Sequence, residues 1–233
     1  MTNGKLYLIP VALGLGESAI EHLPEIAEVT DFVVENCKTA RRHIKRLGVK
    51  APLAAIEMQV LDEHTRSETI PDLLAPLLAG RNVGLMSEAG CPGIADPGAA
   101  LVELAHRQSI RVVPLIGPSA IVLALMASGL NGQRFAFHGY LPSARADRET
   151  SIRELEAESK VRGMTQICIE APYRNRHLLA SLLECAQPAT RLCIAANLTL
   201  PAEMVQTKTI AEWRKAVPDL HRQPAVFLFQ AAP

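Results

Sequence analysis

The chain is poor in aromatics, paired cysteines, net charge and long apolar runs, and each shortage removes a class of function. Aromatic residues make up 4% of the 233, with one tryptophan, so a surface that stacks single-stranded bases on rings is not expected. Five cysteines, Cys37, Cys91, Cys168, Cys185 and Cys193, are odd in number and show no C-x-x-C spacing. Neither a disulfide framework nor a metal site is expected from them, and a reducing compartment fits such usage. No apolar run reaches the ~18 residues that span a bilayer. The opening Met1-Thr2-Asn3-Gly4-Lys5 leads straight into a strand-like segment without a signal-peptide core, so a cytoplasmic protein with no membrane association is expected. Its 24 basic residues balance 24 acidic ones, which leaves no overall basic field for non-specific nucleic-acid binding. Any such contact must be local.

What is present is globular in character, with 48% hydrophobic and 21% charged residues. Short aliphatic runs alternate with helical patterns, which predicts an α/β architecture of parallel type. Strands are expected at Lys5–Val11, Thr30–Glu35, Asn82–Ser87 and Arg111–Leu115, with an extended segment at Leu53–Val60. Helices are expected at Glu17–Glu28, Thr39–Leu47, Ser67–Ala79, Gly98–Gln108 and Ser119–Ser128. The polar, glycine-rich stretch Ser128–Gln133 marks a domain boundary just before or within it, and the division is set at 1–117 and 118–233. Strands at Arg134–His138, Met164–Glu170, Arg191–Asn197, Glu203–Ile210 and Ala225–Gln230 follow, with helices at Ala146–Glu158, Tyr173–Ala186 and Ala211–Val217. The last helix is so short that antiparallel pairing is expected in the second sheet.

Gly14-x-Gly16-x-x-Ala19 follows a strand, and Glu35 lies about twenty residues on, which formally meets a dinucleotide-binding fingerprint. Pro10 interrupts that strand, however, and Glu17 puts a carboxylate where pyrophosphate charge would sit. Two other loops carry more information. Ser87–Gly98 (SEAGCPGIADPG) leaves a buried strand and enters a helix, where α/β sheets bind ligands. Its glycines and prolines fix an irregular backbone with free amides and carbonyls, while Asp96 and Pro97 suit the start of the helix. Pro114–Ala120 (PLIGPSA) likewise leaves a strand and ends in a serine suited to capping. Both loops belong at the same edge of a parallel sheet.

These loops resemble those of the tetrapyrrole methylase superfamily, in the branch of small-subunit rRNA methyltransferase I. Ser87–Gly98 is similar to S-D-A-G-x-P-x-I-(S/A)-D-P-G with Glu88 for aspartate, and Ile116–Ala120 is similar to P-G-P-S-A. Ala124–Leu130 matches A-L-x-x-S-G-L, Phe137–Pro142 resembles F-x-G-F-L-P, and Ile169–Arg174 resembles Y-E-A-P-H-R. The resemblance covers roughly residues 5 to 230. It implies a two-domain fold, with a parallel-type sheet in the first domain and a mixed sheet in the second. It also implies a homodimer and S-adenosylmethionine bound in a cleft between the domains. By the same carry-over the cofactor meets Pro10, Glu88, Ala89, Gly90, Pro92, Gly117, Ser119, Ala120, Glu170, Ala171, Asn197 and Leu198. Removing the proton of a ribose hydroxyl needs a carboxylate or histidine, for which Glu88, Glu170 and His138 are the candidates.

Departures bear on the acceptor. A-E-D-T-R-x-T-R of the rRNA branch reads Val34-Glu35-Asn36-Cys37-Lys38-Thr39-Ala40-Arg41 here, and A-R-E-L-T-K reads Ala195-Ala196-Asn197-Leu198-Thr199-Leu200. The chain ends just after its last expected strand, which implies a form without the C-terminal segment of longer relatives. Against these losses stands a basic cluster of Lys38, Arg41, Arg42, His43, Lys45 and Arg46, in which Lys38/Arg42 and Arg42/Arg46 share a helix face. Lys38, Arg41, Arg42 and Arg174 are the expected substrate contacts, with Arg145, Arg148 and Arg176 as lesser candidates and rRNA or a ribosomal subunit as partner. Two other readings remain open at this stage: methylation of a small molecule such as a tetrapyrrole, and a non-catalytic cofactor binder.

Overall fold

In a parallel sheet covered on both faces, every strand residue needs an apolar environment, and the strands of the first half are written that way. The computed structural model describes residues 2–14 and 24–232, and the expected helix at Glu17–Glu28 falls largely outside the described residues, as do Gly16, Glu17 and Ala19 of the fingerprint. The chain divides into two compact units, Met1–Ser119 and Ala120–Pro233. The stretch Ser128–Gln133 lies inside the second unit, because the apolar helix ahead of it packs on that unit's sheet.

The first unit holds a five-stranded, all-parallel sheet of β1 (Lys5–Ile9), β2 (Asp31–Val34), β3 (Glu57–Val60), β4 (Val83–Met86) and β5 (Arg111–Pro114), in the order β3-β2-β4-β1-β5. Alternate side chains divide between its faces. Tyr7, Ile9, Phe32, Val34 and Met86 join Ala40 and Ile44 of helix α1 (Cys37–Ile44) in one buried cluster. Leu6, Val33, Val83 and Leu85 join Leu77 of the single turn α2 (Ala75–Leu78) and Leu101 of α3 (Gly98–Arg107) in another. Gly84 makes the first cluster possible, since a Cβ there would lie 2.6 Å from Ile9 Cδ1 and 2.8 Å from Phe32. Pro114 sits on edge strand β5, where a missing N–H is tolerated.

Three expected elements differ. Ser67–Ala79 is not one helix but a 3₁₀ segment, Ser67–Leu74, followed by α2, because Pro71 and Pro76 remove backbone donors. Leu53–Val60 is a 3₁₀ turn, Leu53–Ala55, ahead of β3. Helix α1 begins two residues earlier than expected, because Asn36 caps it by accepting from the amides of Lys38 at 2.9 Å and Thr39 at 3.2 Å.

The second unit is built on β6 (Phe135–Tyr140), β7 (Thr165–Ile169), β8 (Arg191–Ala196), β9 (Met204–Thr209) and β10 (Ala225–Gln230), in the order β6-β7-β10-β8-β9. Its sheet is mixed. β6 and β7 run parallel, and β10 is antiparallel to both β7 and β8, as is β9 to β8. Helices α5 (Arg145–Arg162), α6 (Asn175–Cys185) and α7 (Ile210–Trp213) cover one face through Ile152, Leu178, Leu182 and Trp213, while α4 (Ala120–Ser128) lies against β8, β9 and β10. A bulge between Phe137 and Tyr140 is opened by Gly139 at φ +64°.

Candidate functional site

Strand order alone locates a crevice in the first unit. Ile26 and Val29, just ahead of β2, are buried on the face that carries α1, whereas α3 leaves β4 over the opposite face. β1 and β4 are neighbours, so their carboxyl ends flank a topological switch point, the place where open α/β sheets bind ligands. The two exits are joined there. Val11 and Gly90 exchange backbone hydrogen bonds of 2.8 and 2.9 Å, and Gly90 takes φ +75° to do so. A Cβ at Gly90 would stand 3.4 Å from Leu13 Cδ2 and 3.8 Å from the Pro118 carbonyl.

Other bonds fix the same rim. The Asp96 carboxylate accepts from the Gly93 amide at 2.6 Å and the Gly98 amide at 2.7 Å, closing the loop on itself and capping α3. Cys91 Sγ donates to the Pro118 carbonyl at 3.3 Å, tying the first loop to Leu115–Ser119. Glu35, just past β2, accepts the Glu88 amide at 2.7 Å. Pro10, Glu88, Ala89, Gly90, Pro92, Gly117 and Ser119 are thereby gathered at one edge of one sheet, and Ala120 opens the helix that follows.

The rim is acidic. Burial pushes the Glu35 carboxyl up, the Glu88 amide opposes this, and the charges of Asp96, Glu88 and Asp62 add to the rise. Burial raises Asp96 as well, against its two amide bonds. The Glu88 side chain is exposed and has no hydrogen-bond partner among the described residues. The Ser87–Gly98 and Pro114–Ala120 loops contain no basic residue. Such a rim repels pyrophosphate and favours a cationic ligand.

In the second unit, Glu170, Ala171, Asn197 and Leu198 lie at the ends of β7 and β8, on either side of the start of β10. The Glu170 side chain is 1% exposed and its Oε1 accepts from the Ala171 amide at 2.8 Å and from Arg174 Nε at 3.0 Å and Nη2 at 2.7 Å. Arg174, expected at the substrate, is thus held by Glu170, with its guanidinium 5.6 Å from the Tyr173 ring centroid. Asn197, at φ +53°, donates to Gln223 Oε1 at 2.7 Å. Sequence reasoning missed Gln223, whose carbonyl also accepts from Asn175 and so joins the two loops. Only the adjoining Pro224 signalled a structured turn.

His138 is occupied elsewhere. Its Nε2 is 2.7 Å from Gln166 Oε1, and the Gln166 amide is bonded to Leu155 of α5, which gives the ring a place in the packing rather than at Glu170. Arg148 is buried and donates to Ser181 and to the carbonyls of Pro142 and Ser143, so it is a staple for the turn after β6. Arg145 pairs with Glu149 and Glu184, and Arg176 with Asp219. Lys38, Arg41 and Arg42 are exposed on α1.

The chain is 30% identical over 212 residues to ribosomal RNA small subunit methyltransferase I of Escherichia coli O157:H7, covering 91% of this chain and 71% of that one. The Mesorhizobium japonicum protein of the same name is 34% identical over 206 residues, covering 88% and 67%. The chain belongs to the ribosomal RNA small subunit methyltransferase I family. A third such methyltransferase, from Pseudomonas aeruginosa, is 32% identical over 213 residues, covering 91% and 72%. No protein-family profile matches the chain. Among solved structures, the methyltransferase CobJ superposes with a TM-score of 0.65 at 20% identity, covering 98% of this chain and 95% of that one. Uroporphyrin-III-C-methyltransferase from Thermus thermophilus gives 0.52 at 21%, covering 97% and 92%. At those identities the likeness establishes the two-domain methyltransferase fold, which the parallel and mixed sheets already display. The methyltransferase family places the chain among enzymes, and no helix of its described residues is long and apolar enough to cross a membrane.

Proposed function

We propose that the chain transfers a methyl group from S-adenosylmethionine to a ribose hydroxyl of small-subunit rRNA, in the cytoplasm and as a homodimer. The observation that carries this reading is the acidic, lysine-free rim at the β1/β4 switch point in a member of the rRNA methyltransferase I family. The donor set fits the cofactor. Glu35, Glu88 and Asp96 suit a sulfonium and an ammonium, and the bare backbone at Gly90 leaves room that a Cβ would fill. Pro10, Ala89, Pro92, Gly117, Ser119 and Ala120 would complete the first surface, and Ala171 and Leu198 a second beside Glu170 and Asn197.

When bound, the cofactor supplies a methyl group already activated for displacement by its positive sulfur. The protein's own part is to orient an acceptor and to take its proton. Of the three candidate bases, Glu170 is committed to Arg174 and His138 to Gln166, so Glu88 is assigned to accept the hydroxyl proton. Holding acceptor and donor in line provides much of the rate, since effective molarities of ~10⁵ M or more are attainable for well-oriented groups. The fixed bonds of the rim serve that positioning. Incubation with methyl-labelled S-adenosylmethionine and small ribosomal subunits from a strain lacking the chain tests the reading. Label in a ribose of the small-subunit rRNA is expected, and label in no RNA would overturn it.

A further inference from the structure

Helix α1 and the turn that closes it carry a second surface. Its inner side is committed: Ala40, Ile44 and Leu47 are buried in the core of the first unit. Lys38, Arg41, Arg42, Lys45 and Arg46 are all exposed, and among the described residues none has an acidic partner. His43 adds no charge. Burial lowers it first, and the Arg42 and Arg46 charges lower it further.

Helix stability explains this arrangement only in part. Cations near a helix C-terminus complement the macrodipole, which suits Arg41, Arg42 and Lys45 but not Lys38 in the first turn. Here Lys38/Arg42, Arg42/Arg46 and Arg41/Lys45 each place like charges four residues apart, which weakens a helix. A face that gathers five cations in a chain of zero net charge is complementary to a polyanion.

Resting on the reading of the chain as an rRNA methyltransferase, we infer that the α1 face docks the phosphate backbone of the RNA substrate. The contact is to phosphates rather than bases. The outward side chains are lysines and arginines with no aromatic ring on which a base could stack, and a row of cations at this spacing matches the repeating charge of a phosphate backbone. A membrane surface is a poorer match, because an interfacial helix buries apolar side chains in lipid and those of α1 are in the protein core.

The test uses the full chain, a labelled single-stranded RNA of roughly 30 nucleotides, and vesicles with and without anionic phospholipid. The Arg41→Gln/Arg42→Gln/Lys45→Gln variant keeps helix propensity and touches no core contact. Five phosphate contacts give a slope of log affinity against log salt of about −3.5, and removing three makes it shallower by about 2. The expected results are that slope change, an affinity loss of about tenfold or more at ~0.1 M salt, and an unchanged affinity for S-adenosylmethionine. Unchanged RNA affinity and slope would overturn the inference, as would binding to anionic vesicles as tight as to RNA. Failure of the methyltransferase reading is separate, since it would appear as absent S-adenosylmethionine binding in the unaltered chain.

Discussion

Replacing Arg174 with methionine separates a structural arginine from a substrate-binding one. The Glu170 carboxylate is 1% exposed and Arg174 34%, and two of the three donors on Glu170 Oε1 come from that guanidinium. Arg174→Met leaves a buried charge with the single amide of Ala171. Breaking a buried pair costs about 3–5 kcal/mol, and because Arg174 is a third exposed, water entering its place reduces this to about 2–3 kcal/mol. For a unit of this size that lowers Tm by about 10 °C or more. The double change Glu170→Met/Arg174→Met removes both charges and should recover most of the loss. Trp213 makes the assay specific: it is the sole tryptophan, 1% exposed in the second unit's core, so its fluorescence in a urea titration reports that unit. RNA affinity should stay as in the unaltered chain. A variant as stable as the parent within about 0.5 kcal/mol, with RNA affinity lost, would refute the reasoning and return Arg174 to the substrate surface.

Gly90→Asp forces a side chain into a left-handed conformation at φ +75° and fills the space beside Leu13 and the Pro118 carbonyl. A stability loss of about 1–3 kcal/mol and a more than tenfold loss of S-adenosylmethionine affinity are expected by calorimetry, and normal affinity would show the loop to be only structural. Glu35→Gln tests the electrostatics of the rim. A carboxyl raised by burial destabilises the folded state once ionised, so stability should fall as pH rises from the ordinary glutamate range through the raised folded value. Glu35→Gln, which can still accept the Glu88 amide, should therefore be more stable than the parent at pH 7 and equal to it in acid, as read by urea midpoints across pH. A midpoint advantage independent of pH would exclude the charge as its cause.

The strands were legible because both faces of the first sheet are buried. The runs Phe32–Val34 and Val83–Met86 are buried throughout and carry that requirement in their side chains. What misled was punctuation. Pro71 turned an expected helix into 3₁₀ geometry, and Asn36 began α1 early. Glycine-rich Ser128–Gln133 looks like a linker, yet it follows a helix already packed on the second sheet. The loops of the site were legible as motifs, but their bonds were not. That His138 is held by Gln166 and Asn197 by Gln223 depends on contacts between residues 28 and 26 positions apart, which no local pattern encodes, whereas Glu170 and Arg174 are four apart and within reach of a local reading. The Asn36 and Asn197 departures acquire local reasons: one caps α1, and the other occupies a left-handed position that asparagine tolerates.

If the acidic crevice at the β1/β4 switch point takes a sulfonium cofactor, as proposed, it should reject a phosphate-bearing one. Calorimetric titration of the unaltered chain with S-adenosylmethionine, and separately with NADH, tests it most directly. Saturable binding of S-adenosylmethionine, weakened in Glu35→Gln, and no binding of NADH are expected. Saturable NADH binding with none for S-adenosylmethionine would contradict it.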